Sequence, residues 1–331
     1  MIGPDSTGER TDAFGPSRWP PELPPVRGIG RGFRLLEPGG QPGSLPHSMA
    51  MAPTEDGVRD AVERALREDS PSGDVTTSSV VAETARCRAE LRAKAEGVLA
   101  GTEAAQAAFE IVAAQDRLGA VEVSWKVRDG DAVRAGDTLA IVEGPARSVL
   151  RAERTAINFL GHLSGVATLT RRFVEAAGPA EVLCTRKTTP GLRTLEREAV
   201  AAGGGSLHRA SLSDAVLIKD NHLRVAGGVR EAVRAARRGE APVEVEVETL
   251  DELEEALAAG ADRILLDNPS PELVRKAVAR VGDPRKLEVS GGITLDSVPL
   301  LVRAGARVIS VGRITHSAPS LDLSLEVTDV H

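Results

Sequence analysis

Aromatic side chains make up 2% of this 331-residue chain and tyrosine is absent, so a core must be built from Val, Leu, Ile and Ala. Only two cysteines occur, Cys87 and Cys184, far apart and without metal-ligand spacing. That argues against a disulfide framework and a cysteine-based zinc site, and fits a reducing compartment. No apolar run approaches the ~20 residues that span a bilayer. Basic charge is outweighed, with a formal net charge of -7, and an acidic chain with few aromatics is a poor match for nucleic-acid binding. What is left is a soluble, cytoplasmic protein with no expected membrane or nucleic-acid partner and 41% hydrophobic residues for a core.

Residues 1–48 are crowded with Pro and Gly and show no sustained period. Such a segment buries too little apolar surface to offset the entropy of ordering it, and it is expected to be a disordered leader, with Met49 or Met51 as the functional start. From Thr54, an N-cap candidate, a helical period begins. Residues 86–100 alternate like a strand, a helix is expected over 103–114, and VEVSWKV and the turns at Gly130, Gly136 and Gly144 read as short β segments. The stretch 127–144 has the GD turns of lipoyl and biotinyl carriers but no lysine to modify, so a structural sandwich is the better reading.

Residues 153–176 give the clearest helical pattern, a link between two domains, and Gly161 and Gly165 on it suggest close approach of another helix or subunit. Beyond it, strands are expected at 181–185, 215–219, 243–247, 263–266, 286–289 and 308–311, with amphipathic helices between the later ones. Serial βα units with Val/Ile/Leu-rich strands argue for a parallel sheet, and a barrel is favoured.

Each expected strand ends in a residue able to do chemistry: Arg186 and Lys187, Lys219, Glu246, Asp267, Ser290-Gly291-Gly292, and Gly312. In a βα barrel these ends share one face, where active sites lie. Glu246 sits in the alternating run VEVEVE, and with Asp267 it can hold Mg²⁺ through water or bind ribose hydroxyls. The two glycine turns expose N–H groups suited to phosphate. From Cys184 to His222 the chain also gathers Arg186, Lys187, Arg193, His208, Arg209 and Lys219. Cations so grouped repel, and a bound anion normally offsets the cost; the alternative is surface pairing with Glu196, Glu198 and Asp220.

The motifs ERTAINFLGHLSGVATLT, TRKTTPGLRTLEREAV, GGGSLHR, SDAVLIKDNH, VEVEVE, LLDN, EVSGGIT and ISVGRITHSAPSLDLSLEV, in this order, resemble the quinolinate phosphoribosyltransferase family of NAD biosynthesis over about residues 54–330. Two departures stand out: Leu207 where the family usually has Asn, and Arg313 at a commonly small position. The resemblance implies an α/β protein: an N-terminal α/β sandwich (49–157, completed by the tail 317–331) plus an incomplete α/β barrel of fewer than eight strands (158–316). It implies a homodimer, with a hexamer left open, in which Arg154 reaches the neighbouring active site. It implies that Arg154, Arg186, His208 and Arg209 bind the two carboxylates of quinolinate, and that Lys187 and Lys219 neutralise pyrophosphate and carboxylate charge. Glu246 and Asp267 would contact the ribose and Mg²⁺ of phosphoribosyl pyrophosphate, and Ser290, Gly291, Gly292 and Gly312 its 5-phosphate. Lys187, Lys219, Glu246 and Asp267 are the catalytic set so implied; His316 receives no role. Rivals are a nicotinate-specific enzyme or the molybdenum-transport-associated group of the same fold, and a non-catalytic binding protein; the number of cations favours a dicarboxylate.

Overall fold

The computed structural model describes residues 55–331; the expected leader, Met49, Met51 and Thr54 lie outside them. Helix α1 (Glu55–Asp69) is followed by a short α2 (Val75–Val80), nucleated by Asp74, whose Oδ1 accepts the Thr77 N–H at 3.0 Å. Strand β1 (Arg86–Ala93) buries Cys87, Ala89, Leu91 and Ala93 and turns the residues between them outward. The expected single strand over 86–100 breaks here, and Gly97 and Val98 form a separate β2. A Cβ at Gly97 would lie 2.6 Å from Thr168 Oγ1, and that hydroxyl takes the Val98 N–H at 2.8 Å, so a helix packed against this point diverts the chain.

Helix α3 (Thr102–Asp116) is capped by Asp129, which accepts the N–H groups of Gly101 and Thr102. Strands β3 (Glu122–Trp125), β4 (Ala132–Val133) and β5 (Thr138–Pro145) follow. The two GD turns between them are closed by Asp131 and Asp137, each accepting an N–H three residues back, which is a structural use of the carrier-like pattern. β5 runs directly into α4 (Ala146–Ala177), a single helix of 32 residues. It begins well before the expected 153, and the expected division at 157/158 falls inside it.

Among the described residues the glycine face of α4 meets no other helix. A Cβ at Gly165 would lie 2.1 Å from Pro319 O and one at Gly161 2.9 Å from Leu321 O, and Leu321 N–H donates to Gly161 O at 2.9 Å. The returning tail of the same chain fills that face.

The second half runs β6 (Glu181–Leu183), α5 (Arg193–Ala202), β7 (Val216–Ile218), α6 (Asp220–Ala226), α7 (Val229–Ala236), β8 (Val243–Val247), α8 (Leu250–Ala259), β9 (Arg263–Asp267), α9 (Pro271–Val281), β10 (Leu287–Ser290), α10 (Val298–Arg303), β11 (Val308–Ser310), α11 (Arg313–His316) and β12 (Leu323–Val330). Six of its strands form a parallel sheet in the order β6-β11-β10-β9-β8-β7. Among the described residues β6 and β7 do not pair, so the barrel stays open between them. β12 leaves the barrel and pairs antiparallel with β1, extending the sheet β12-β1-β5-β3. The chain is thus an N-terminal α/β sandwich plus an incomplete α/β barrel.

Pairing sets what faces the barrel interior. Glu244 lies opposite Arg263, Glu246 and Glu288 flank Leu265 from either side, and Ser290 lies opposite Asp267. Residues paired in a parallel ladder share a face, while Val243, Val245, Val247, Ile264 and Leu266 point at the helices and are buried. The alternation of VEVEVE is therefore one valine face under helices and one glutamate face inside the barrel.

Candidate active site

Because all six strands are parallel, their C-terminal ends share one mouth. After β6 the chain enters a loop, residues 184–192, that carries Arg186 and Lys187. The Thr315 hydroxyl donates to Lys187 O at 2.7 Å, and the Lys187 side chain lies 3.2 Å from where a Cβ on Gly312 would stand. The ring of His316 lies 3.3 Å from the same point. The absence of a side chain at Gly312 leaves a backbone cradle flanked by Lys187 and His316. Sequence reasoning missed His316; its signal was the i, i+4 spacing from Gly312 on a helix that starts at a strand end.

A second loop, residues 206–215, fills the gap between β6 and β7. Ser206 N–H donates to Val182 O at 2.7 Å and Cys184 N–H to Ser206 O at 3.1 Å, which draws the chain alongside the end of β6. This loop carries His208 and Arg209. Arg209 donates through Nη1 to Ala215 O at 3.0 Å, and burial together with the charge of Arg186 holds its pKa below the usual guanidinium value. Arg186 Nε is itself buried with no hydrogen-bond partner. Two guanidiniums are therefore held near each other with a donor unspent. Leu207 is 40% exposed and Arg313 is exposed at the start of α11, so neither departure from the family pattern disturbs the core.

His208 is placed differently from the other cations. Its ring is 8% exposed, and Nε2 lies 3.3 Å from Glu244 and 3.4 Å from Glu288. Arg263 closes the group, 3.3 Å from Glu288 and 3.6 Å from Glu244. Burial opposes a charged ring, but the two carboxylates outweigh it and raise the His208 pKa to about 9. The Arg209 N–H lies 2.8 Å from Nδ1. Burial and the charge of Glu288 push the Glu244 carboxyl up. Burial would raise Glu288 as well, but His208 and Arg263 outweigh it and hold its pKa low. His208, Glu244 and Glu288 could by spacing hold a metal ion; Arg263 supplies the positive charge instead, so the set is an ionic cluster under the mouth. Both ring nitrogens of His208 face protein groups.

Lys219, which N-caps α6, forms an ion pair with Glu246, one strand away. Its backbone N–H is held by His222 Nδ1 at 2.9 Å. Asp267 accepts from Asn268 Nδ2 at 2.7 Å. Glu246 and Asp267 lie on adjacent strands, on one face and two residues apart in register, so about 7 Å separates them along the strand. At β10, Ser290 is followed by Gly291 and Gly292 with φ of 85° and 57°, and a cavity of about 300 Å³ adjoins this turn. Asn268 was also missed from sequence; it has φ 47°, unusual for a non-glycine residue. Arg154 is not drawn to this mouth: its side chain is 64% exposed, and its ion-pair contact among the described residues is Glu153 at 4.0 Å.

The mouth thus joins two guanidiniums, one with a buried donor unspent, two lysines, two carboxylates and two glycine cradles, an inventory suited to a ligand with several anionic groups and a sugar. Family models for the N-terminal and C-terminal domains of quinolinate phosphoribosyl transferase match residues 74–164 and 166–326. The probable carboxylating nicotinate-nucleotide pyrophosphorylase of Bacillus subtilis strain 168 is 42% identical over 266 residues, 79% of this chain and 90% of that protein. The chloroplastic carboxylating enzyme of Arabidopsis thaliana is 38% identical over 297 residues, 83% of this chain and 84% of its own length. The solved nicotinate-nucleotide pyrophosphorylase of Francisella tularensis superposes with a TM-score of 0.78 at 38% identity, covering 83% of this chain and 97% of that one. Among the described residues no helix is long and apolar enough to cross a membrane. With both domains matched in sequence and in fold, this chain belongs to the quinolinate phosphoribosyltransferase family.

Proposed function

We propose that this chain transfers the phosphoribosyl group of phosphoribosyl pyrophosphate to quinolinate with loss of CO₂, giving nicotinate mononucleotide and pyrophosphate for NAD biosynthesis. The observation that carries this reading at the level of residues is the Arg186–Arg209 pair, two adjacent guanidiniums with Arg186 Nε buried and unspent. Such a pair suits an anion with more than one carboxylate, because each guanidinium offers a planar fork to a carboxylate.

In this reading Arg186 and Arg209 hold the dicarboxylate and His208 supports Arg209 from below through its Nδ1. Ser290, Gly291, Gly292 and Gly312 hold the 5-phosphate through backbone N–H groups, with His316 beside them. Glu246 and Asp267 bind the ribose hydroxyls, and Glu246 stabilises positive charge as the bond from C1 to pyrophosphate breaks. The pyridine nitrogen forms its bond to C1 on the opposite face. The cationic ring then releases the adjacent carboxylate as CO₂, and the ring carbon takes a proton from water. Lys187 and Lys219 neutralise the leaving pyrophosphate. No general acid is needed; positioning and electrostatics carry the rate.

Glu246 and Asp267 also fit Mg²⁺: two hard carboxylates, too few for an all-protein cage, suit an ion that keeps its waters and takes substrate oxygens. When bound, Mg²⁺ offsets charge on the leaving group. The same reading gives a cytoplasmic homodimer, extendable to a hexamer, in which Arg154 reaches the neighbouring site. Its exposed guanidinium, with Glu153 at 4.0 Å, supports this role.

The test is to incubate the protein with Mg²⁺, phosphoribosyl pyrophosphate and either quinolinate or nicotinate, following mononucleotide and CO₂. Product and CO₂ from quinolinate are expected. Product from nicotinate alone would overturn the substrate, and none from either would overturn the activity.

A further inference from the structure

The loops 184–192 and 206–215 carry four cations, Arg186, Lys187, His208 and Arg209, outside any strand or helix. Like charges on irregular backbone separate unless the backbone is tied, and burial strengthens the repulsion. The ties come from one short helix, α5, which lies between the two loops in sequence.

Arg193, in its first turn, donates through Nε to Thr188 Oγ1 at 3.1 Å and through Nη1 to Ala210 O at 3.4 Å. One guanidinium thus bonds both loops. Glu196, fully buried, accepts the Thr189 N–H at 3.1 Å and is met from α4 by His162 Nε2 at 2.8 Å. Arg197, 7% exposed, donates to His208 O at 2.5 Å. Charged groups are seldom so deeply buried without a task, and here every bond except that of Glu196 with His162 on α4 ends on one of the two loops that carry the cations. The surface pairing of these cations with Glu196 that the sequence left open is not what the structure shows.

We propose that Arg193, Glu196 and Arg197 are positioning residues that set the separation of Arg186 from Arg209, and that Arg193, bonded to both loops, is the one that tunes affinity for the dicarboxylate. This inference rests on the quinolinate reading above. Arg193 acts through Thr188 and Ala210, without touching the ligand.

The experiment measures kcat, KM for each substrate and thermal midpoint for wild type, Arg193→Met, Thr188→Val and the double variant. Thr188→Val removes the acceptor and leaves every charge in place. Arg193→Met is expected to raise KM for quinolinate by ~10-fold or more, the loss of a charge-assisted hydrogen bond, with KM for phosphoribosyl pyrophosphate within ~2-fold. Thr188→Val shifts the same constant in the same direction by ~3-fold, the scale of a weaker single bond, and the double variant falls short of the product of the two.

An unchanged quinolinate KM in Arg193→Met overturns the proposal. So does a large effect of Arg193→Met beside none of Thr188→Val, which would mean direct ligand contact. Equal rises in both KM values with a lowered midpoint would reduce the role to folding, and also overturn it. Absence of wild-type turnover with quinolinate would instead sink the reading on which it rests.

Discussion

Asn268 and Gly291 occupy each other's space: a Cβ on Gly291 would stand 2.4 Å from Asn268 Oδ1 and 2.6 Å from its backbone nitrogen. Asn268 N–H donates to Ser290 O at 2.8 Å, so the two strand ends are locked at the point where the 5-phosphate is proposed to bind. Gly291→Ala meets both this clash and a φ of 85°, a strain of about 1–3 kcal/mol. The expected result is a rise of ~10-fold or more in KM for phosphoribosyl pyrophosphate, with a smaller change for quinolinate. Steady-state kinetics with each substrate varied in turn would show it, and an unaltered phosphoribosyl pyrophosphate KM would contradict the assignment.

The Lys219–Glu246 ion pair joins the two charges proposed to face pyrophosphate and ribose. Lys219→Ala or Glu246→Gln is expected to lower kcat by at least ~100-fold, a loss typical of removing a group that stabilises transition-state charge. Circular dichroism and thermal midpoint should stay close to wild type, since Lys219 is 43% exposed and Glu246 lies at the mouth. Near-normal turnover in either variant would refute the roles given to them.

The buried His208–Glu244–Glu288–Arg263 cluster makes stability depend on pH. Unfolded, the imidazole releases its proton near ~6.5; folded, His208 beside Glu244 and Glu288 keeps it up to about pH 9. Between those values the folded state binds more protons than the unfolded, so the contribution is complete below the window and is lost as pH rises through it, at up to ~1.4 kcal/mol per pH unit. Glu244→Gln, neutral at every pH, should flatten the decline between pH 7 and 9.5. Thermal melts across that range test it, and parallel slopes in the two proteins would contradict it.

At Gly165 the tail backbone leaves no room, with Pro319 O 2.1 Å from the Cβ position. Gly165→Ala should destabilise by about 1–3 kcal/mol, as overpacking does, by displacing the segment that leads into β12. A lower melting midpoint with an unchanged oligomeric state in sedimentation is the expected pair of results. A changed oligomeric state would restore the subunit contact that the glycine spacing suggested.

Much of the barrel was legible in the chain because its strands carry their own pattern. Val243–Val247 has the same bounds in sequence and structure, since alternating valine and glutamate can satisfy an interior and a helix-covered face at once. The strand expected over 181–185 stops at Leu183, where the distant Ser206 pairs alongside it through Val182 O and Cys184 N–H. Helix α2, VTTSSV, escaped notice because β-branched residues and serines give no helical period; the Asp74 cap starts it. The cations of the mouth were visible as a cluster. His208 turning inward to Glu244 and Glu288 was not, because those carboxylates lie more than thirty positions away in the chain.

Side-chain chemistry that repeats along a few residues was enough to establish the elements, the parallel sheet and the row of polar strand ends, because hydrophobic burial acts on each element's own period. Contacts between distant segments followed a different logic. The tail against Gly165, Asn268 against Gly291 and Arg193 across two loops depend on which backbones meet once the barrel closes. A side chain's partner at that stage is set by packing of the whole chain, and local pattern carries no record of it.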